Sequence, residues 1–455
     1  MTTSIVSFII VIGILIVIHE LGHFVVARLC GVGVERFSIG FGPVLWRYRG
    51  PETEYCLSAI PMGGYVKMMG DDENPLEGGA TGNVDPGKAF NTKPLIARFL
   101  IVFAGPGMNF VLAAVIFALV FMTVGRPALP AVVGAVTPDS AAARAGLAPN
   151  DVVRAVDGRS VQYWDEVIRV VRDGQGKPVE LALAGPAGAE RKITVTPVKV
   201  AERDLFGDER QVWDIGAMPL VPAVIGDAVA GFPAEQAGLR GGDTVLAIEG
   251  RPIVTWHDLA EAISRRADQP TRVQVRRGTE ILEVRLTPRG VKDRGLDGKE
   301  TTVGRIGISP APSTTYVRSN PIAAVRDGVE KTVEITVLTA VGLWKIVVGQ
   351  LDRSNIGGPI QIAQAAGEQA RHGLPNLAFF TAVISVNLAL LNLLPVPMLD
   401  GGHLLFFLCE AVLGRPLSVR KREVAQQVGF VLLLMLMVFA VYNDLVRIDV
   451  MRFFR

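Results

Sequence analysis

A chain of 455 residues is longer than one hydrophobic core ordinarily organises, so two to four units are expected. Hydrophobic residues make up 49% and charged residues 20%, with a positive mean hydropathy, which excludes an ordinary soluble protein and points to several membrane spans. A net charge of +2 gives no reason to expect a nucleic-acid partner, and three scattered cysteines, Cys30, Cys56 and Cys409, exclude a disulfide framework or a zinc finger.

The first element runs from about Ile5 to Phe24 and has no charged side chain before its polar end. It lacks a basic start and a small-residue cleavage site, so it reads as a retained transmembrane helix rather than a signal peptide. It closes on His19-Glu20-Leu21-Gly22-His23. On a helix, positions i and i+4 share a face, so both imidazoles can meet one metal ion. Glu20 follows at about 100° around the axis, placed to take a proton from water without being a ligand. With 5 His in the chain, composition alone gives about 0.005 occurrences of this pattern.

Between Val34 and Arg98, Phe41-Gly42-Pro43 and the stretch Pro61-Met62-Gly63-Gly64-Tyr65-Val66 sit beside alternating Tyr55, Leu57 and Ala59. They predict short strands and turns. Such backbone cannot face lipid unpaired, so it is either a surface hairpin or a re-entrant β-hairpin lining a cavity beside the metal. Residues 71 to 93 read as a polar loop. A second span, Phe99 to Gly125, contains Gly105-Pro106-Gly107 and Asn109; that asparagine is expected either to hydrogen-bond to a neighbouring helix or, as the favoured role, to serve packing alone.

From Arg126 to about Pro310 the composition becomes that of a soluble protein, and the sequence repeats. Ser140 to Leu147 matches Phe232 to Leu239 at an offset of 92, which also aligns Asp151 with Asp243 and Trp164 with Trp256; Ile215-Gly216 matches Ile306-Gly307 at 91. Two tandem copies of one strand-rich fold follow. The shared pattern resembles the PDZ domains of bacterial proteases. That resemblance implies a peptide groove involving Ile215, Gly216, Gly307 and Ile308, or else modules that act by bulk alone.

Asn320 to Leu351 reads as a helix too interrupted by charge to span, lying on the membrane or bracing against it. A break at Asn355 to Pro359 and a second short helix to about Arg371 follow. The third span, about Leu377 to Leu399, carries Asn387 and Asn392 and ends in Pro395-Val396-Pro397-Met398-Leu399-Asp400-Gly401-Gly402-His403. An acid inside such a segment needs a partner, and a dication held by His19 and His23 is the best on offer. Two histidines and one carboxylate, with a fourth position for water, make a catalytic zinc set. His403 is the competing ligand or an outer neighbour. His257 and His372 read as ordinary histidines. A fourth span covers about Val424 to Asn443.

The two motifs together are similar to those of the site-2 protease family of intramembrane metalloproteases. The resemblance covers nearly the whole chain. It implies Zn2+ held by His19, His23 and Asp400, with Glu20 as catalytic acid and base. It also implies that Asn392, Gly42, Gly63, Gly64 and Tyr65 contact substrate. Substrates would be single-span proteins already trimmed outside the membrane, such as an anti-sigma factor of envelope stress signalling, and remnant signal peptides. The fold class expected is a polytopic α-helical membrane protein of the bacterial inner membrane. It has four transmembrane helices and a re-entrant β-hairpin, with two inserted extracytoplasmic PDZ-like (β-rich α+β) domains. The expected division is 1–126, 127–220, 221–310, 311–375 and 376–455. Arg415, Arg420, Lys421 and Arg422 place the end of the third span, and the metal, near the cytoplasm, with both termini and the PDZ pair outside; Arg447, Arg452 and Arg455 pull the other way. Two other classes compete: a membrane-anchored PDZ scaffold with a non-catalytic metal site, and a metal transporter. Neither uses an acid between the histidines.

Overall fold

Eighteen uncharged residues in a medium without water must satisfy their own backbone, and Thr2–Leu29 does so as one helix, α1. The computed structural model describes residues 2–70, 85–185, 189–204, 206–229, 231–294, 300–311, 315–351, 357–415 and 417–447. They form two units: Met1–Gly125 with Arg318–Arg455, and Arg126–Val317. Most of the loop expected at 71 to 93, most of the break expected before Pro359, and the tail arginines Arg452 and Arg455 lie outside the described residues.

In the first unit α1 is followed by two long strands, β1 (Val34–Arg49) and β2 (Glu54–Met68). Each changes partner along its length. Arg36 to Ile39 sit opposite both Glu54 to Leu57 and Gly64 to Lys67, while Val44 to Arg49 pair only with Glu54 to Ser58. The bend in β1 falls at Gly40, whose φ of 89° disfavours a side chain. Gly64 to Met68 therefore forms one border of the sheet. Its inner face packs Val34, Phe37, Val66 and Met68 against Ala27, Ile101 and Phe407.

Helix α2 (Leu95–Thr123) carries Pro106 inside it. It crosses α1 at close range, because a Cβ on Gly22 would collide with the Ala104 carbonyl.

The second unit begins and ends in paired strands, Arg126–Ala128 against Thr315–Val317. Between them one arrangement occurs twice. Short helix α3 (Ala141–Arg144) and helix α4 (Trp164–Asp173) accompany a four-stranded sheet ordered Arg159–Ser160, Val152–Val156, Val179–Ala184, Glu190–Val195. Helices α5 (Pro233–Gln236) and α6 (Trp256–Ser264) accompany the sheet ordered Arg251–Pro252, Thr244–Ile248, Thr271–Arg277, Glu280–Leu286. Each copy has its own core, around Val153, Val167 and Leu181 in the first and Val245, Leu259 and Val273 in the second. The repeated aspartates hold the turn after each Ala-Gly-Leu. Asp151 accepts from the Ala148 N–H at 2.8 Å and pairs with Arg191; Asp243 accepts from the Arg240 N–H at 2.9 Å and is gripped by Arg277 through two 2.7 Å bonds.

The chain returns to the first unit as α7 (Pro321–Val347), capped by Asn320. It lies along α2, with Gly328 against the Ala114 backbone, and Thr339 Oγ1 donates to Asn387 at 2.8 Å. It is thus one 27-residue helix braced on its neighbours. Then come α8 (Pro359–Arg371), α9 (Leu374–Asn392), α10 (Asp400–Leu413) and α11 (Val419–Arg447). Asp444 of α11 caps the start of α8, accepting from the N–H groups of Gly358, Ile360 and Gln361 at 2.8, 2.9 and 3.1 Å.

Among the described residues four helices are long and apolar enough to cross a membrane: Thr2–Leu29, Leu95–Thr123, Leu374–Asn392 and Val419–Val446. The third is shorter than the Leu377 to Leu399 expected. Pro395 and Pro397 end helical bonding early, and Asp400 opens a new helix instead of closing the old one.

One consequence is testable by titration. The Arg277 guanidinium holds the Asp243 carboxyl below the usual carboxylate range. The stabilisation is complete above the unfolded carboxylate value of about 3.9 and disappears as pH falls through the lower folded value. Asp243→Ala should lower the thermal midpoint at pH 7, with the gap to the parent closing in acid. Equal midpoints at pH 7 would contradict this role.

Candidate active site

Helix α1 sets His19 and His23 one turn apart with their Nε2 atoms 3.2 Å from each other. The first residue of α10 completes the group: Asp400 Oδ2 lies 3.1 Å from His19 Nε2, and Oδ1 lies 3.6 Å from His23 Nε2. Three donor atoms bound at about 2.0–2.1 Å to a tetrahedral zinc stand roughly 3.3 Å apart, so these separations fit one ion. The Asp400 Oδ2 atom is buried and makes no hydrogen bond of good geometry, despite its nearness to His19. A bare carboxylate oxygen facing two nitrogens suits a cation. Among the described residues the only group of three metal-ligating side chains is this one. His403, one turn along α10, stays outside it, with its ring edge-on to Phe406.

The other ring nitrogens are also held. His23 Nδ1 lies 2.9 Å from the Ile101 carbonyl, which can only accept, so Nδ1 carries the proton and Nε2 presents its lone pair to the site. His19 Nδ1 lies 3.3 Å from the amide of Asn109 and 3.5 Å from that of Asn392. Asn109 is fully buried, and its Oδ1 has no partner. A half-turn of that amide sets Oδ1 against Nδ1–H and gives His19 the same tautomer as His23. Packing alone, expected of Asn109, is therefore too weak a reading. Its signal in the sequence was Gly105 four residues earlier on the same helix face. A Cβ on Gly105 would run into the Nε2 atoms of both histidines.

Glycines shape the Asp400 side as well. A Cβ on Gly401 would strike the carbonyls of Leu393 and Leu394, and one on Gly402 the Val396 carbonyl. The loop from Leu393 to Leu399 thus folds tightly back on the start of α10. Gly429 of α11 closes on the Pro397 backbone from the other side.

Gly64 passes Glu20, where an added Cβ would be 2.8 Å from the Glu20 Cγ. Tyr65 receives a 3.2 Å bond from Arg36 and stacks on Phe41, with centroids 6.2 Å apart. Gly42 and Gly63 adopt φ of 82° and 154° at bends of β1 and β2, and Phe41 packs where a Gly63 side chain would stand. Asn392 ends α9 beside His19.

In the second unit Ile215 is a core residue. The N–H groups of Ile215 and Gly216 both donate to Asp214 Oδ1, at 2.6 and 3.1 Å, and their carbonyls serve Ala142 and Thr137. Gly307 accepts from Val229, and Ile308 pairs with Ala228. Ile215 and Gly216 thus have their backbone groups engaged within their own module.

Residues 7–436 match the family described as Peptidase family M50. The chain is 36% identical over 453 residues to the regulator of sigma-E protease RseP of Salmonella typhimurium, covering 97% of this chain and 98% of that protein. It is 37% identical over 474 residues to a putative zinc metalloprotease of Vibrio cholerae, with 97% and 98% covered. With the regulator of sigma E protease of Haemophilus influenzae it shares 36% over 459 residues, again with 97% and 98% covered.

Gly105→Ala should separate metal binding from folding. The extra methyl displaces both imidazoles, so purified protein should retain its helicity while its zinc content falls at least about tenfold. Full zinc occupancy in that variant would mean that the crossing of α1 and α2 does not set the histidine geometry.

Proposed function

This chain belongs to peptidase family M50 and is an intramembrane zinc metalloprotease of the site-2 type, and from that premise we propose how its residues divide the work. His19, His23 and Asp400 would hold the ion. Zinc bound there would supply a Lewis acid and bring the pKa of a water down to about 7. Glu20 adjoins His19 in the sequence yet stands outside the three-donor group. It takes the proton of the attacking water and delivers it to the leaving nitrogen. The observation that carries this reading is the meeting of the three donors, from opposite ends of the chain, next to a carboxylate left without a ligand's task. The scaffold and transporter readings give Glu20 nothing to do.

A peptide bond in a membrane helix has its carbonyl already bonded, so the substrate must unwind before it is cut. Among the described residues, Gly64 to Lys67 pair on one side with β1 and have no strand on the other. That border offers ladder positions to an extended substrate, alongside Glu20. Gly63 and Gly42 permit the bends, Tyr65 stiffens the border through Arg36 and Phe41, and the Asn392 amide reaches a freed substrate carbonyl. Leu45, Trp46, Tyr48, Leu57 and Ile60 are exposed on the same sheet, which suits a re-entrant hairpin in contact with lipid.

The protein is a multi-pass protein of the bacterial inner membrane. Basic Arg415, Arg420, Lys421 and Arg422 support a metal site near the cytoplasmic side and a periplasmic second unit. Residues 127–220 and 221–310 are two PDZ-like domains, and 311–375 is a membrane-associated linker between the halves of the membrane domain, 1–126 and 376–455. The names of the Salmonella and Haemophilus relatives favour an anti-sigma factor as substrate, after another protease has removed its outer part. Remnant signal peptides share the same short, single-span form. The PDZ pair excludes substrates with bulky outer domains or captures newly cut C-termini.

Two measurements test this. Glu20→Gln should keep its zinc and lose between about 10²- and 10⁴-fold in cleavage of a model transmembrane substrate in detergent; parent-like turnover would remove the assigned base. Deleting 127–310 should let untrimmed substrates be cut, and unchanged selectivity would end the filter role.

A further inference from the structure

Asp400 is the first residue of α10, and the N-cap position before it, Leu399, makes no side-chain cap. Glycine contacts with the loop fit the start of α10 closely but bear no charge that could fix its rotation. Ten residues on, roughly 15 Å along the axis, Glu410 meets Arg98 of α2. The guanidinium forms a fork with the carboxylate, Nη2 to Oε1 at 2.6 Å and Nη1 to Oε2 at 3.3 Å. The Arg98 Nε–H donates to the Lys93 carbonyl at 3.2 Å, and its plane lies over Phe407, 5.2 Å from the centroid. Both side chains are largely buried, at 12% and 15% exposed.

Arg98 shares a helix face with Ile101, Gly105 and Asn109, at spacings of three, seven and eleven residues. That face already fixes both histidines, through the Ile101 carbonyl, the absent side chain of Gly105 and the Asn109 amide. We propose that the Arg98–Glu410 fork is the positioning pair that sets the register of α10 against the same face, and so sets the distance of Asp400 from the histidines. A buried ion pair adds little net stability over a well-packed apolar pair; a planar fork that accepts one orientation instead supplies registry. A small slide or rotation of α10 would take Asp400 out of ligand range of both imidazoles.

This inference rests on His19, His23 and Asp400 being a metal site, and the test keeps the two claims apart. Full-length protein in detergent is loaded with cobalt(II) for its visible ligand-field bands, and zinc affinity is measured by competition with a chelator. Glu410→Gln should bind zinc about 10- to 100-fold more weakly and shift the cobalt bands. Arg98→Lys, which keeps the charge but not the fork, should fall between Glu410→Gln and the parent. Asp444→Ala, which removes a buried helix cap elsewhere in the same unit, should lower thermal stability yet leave zinc affinity within about twofold. Should Glu410→Gln not accumulate, Glu410→Asp shortens the reach by one methylene and should weaken zinc severalfold. Parent-like zinc affinity and cobalt bands in Glu410→Gln, or in Glu410→Asp where that is the variant measured, would overturn the positioning role. Parent protein without a cobalt ligand-field spectrum would instead overturn the metal site itself.

Discussion

The structure depends on placing one carboxylate beside two imidazoles where water is scarce. A buried acid costs several kcal/mol unless it is paired, and two neutral histidines alone do not pair it. A divalent ion would resolve the conflict, and the surrounding chain lets the three side chains approach one point. Gly22 and Gly105 bring α1 and α2 close enough for the imidazoles to lie against backbone. Gly401 and Gly402 do the same for the start of α10 against the proline loop. The Ile101 carbonyl fixes the tautomer of His23, and the amides of Asn109 and Asn392 reach His19.

A membrane protease must also supply water and strip a helix of its internal bonding. On the proposed reading, the sheet of β1 and β2 would meet the second demand with backbone. Its border at Gly64 runs past Glu20, so an extended chain lying on it would have its peptide bonds beside that carboxylate. Glu54 pairs with Arg36, Arg47 and Arg49 across the sheet, and its register is fixed by the buried face of Val34, Phe37, Val66 and Met68.

Patterns local in sequence were legible. The charge-free run of α1, the His-Glu-x-x-His spacing and the repeat after Arg126 follow from periodicity and composition, and the observed elements lie where those signals stand. What the sequence hid depends on contact between distant segments. Asn109 gave no sign that it faces His19, because nothing near it in the chain names its partner. Arg98 and Glu410 are 312 positions apart, and each alone reads as a charge at a helix end. The double pairing of β1 was concealed too, since one strand with two partners has the same alternation as a strand with one. The third span ended early because the prolines stop hydrogen bonding before hydrophobicity declines, and hydropathy records only the second. In the first repeated module, fold analogy places Ile215 and Gly216 in a groove, and it does not reveal that Asp214 accepts from both of their N–H groups.

The central claim is that His19, His23 and Asp400 bind one ion together. X-ray absorption at the zinc edge of the purified, active protein tests it most directly. Two imidazole nitrogens and two oxygens at about 2.0–2.2 Å are expected, with one oxygen fewer in Asp400→Ala. A spectrum with three imidazoles, or one that Asp400→Ala leaves unchanged, would contradict it.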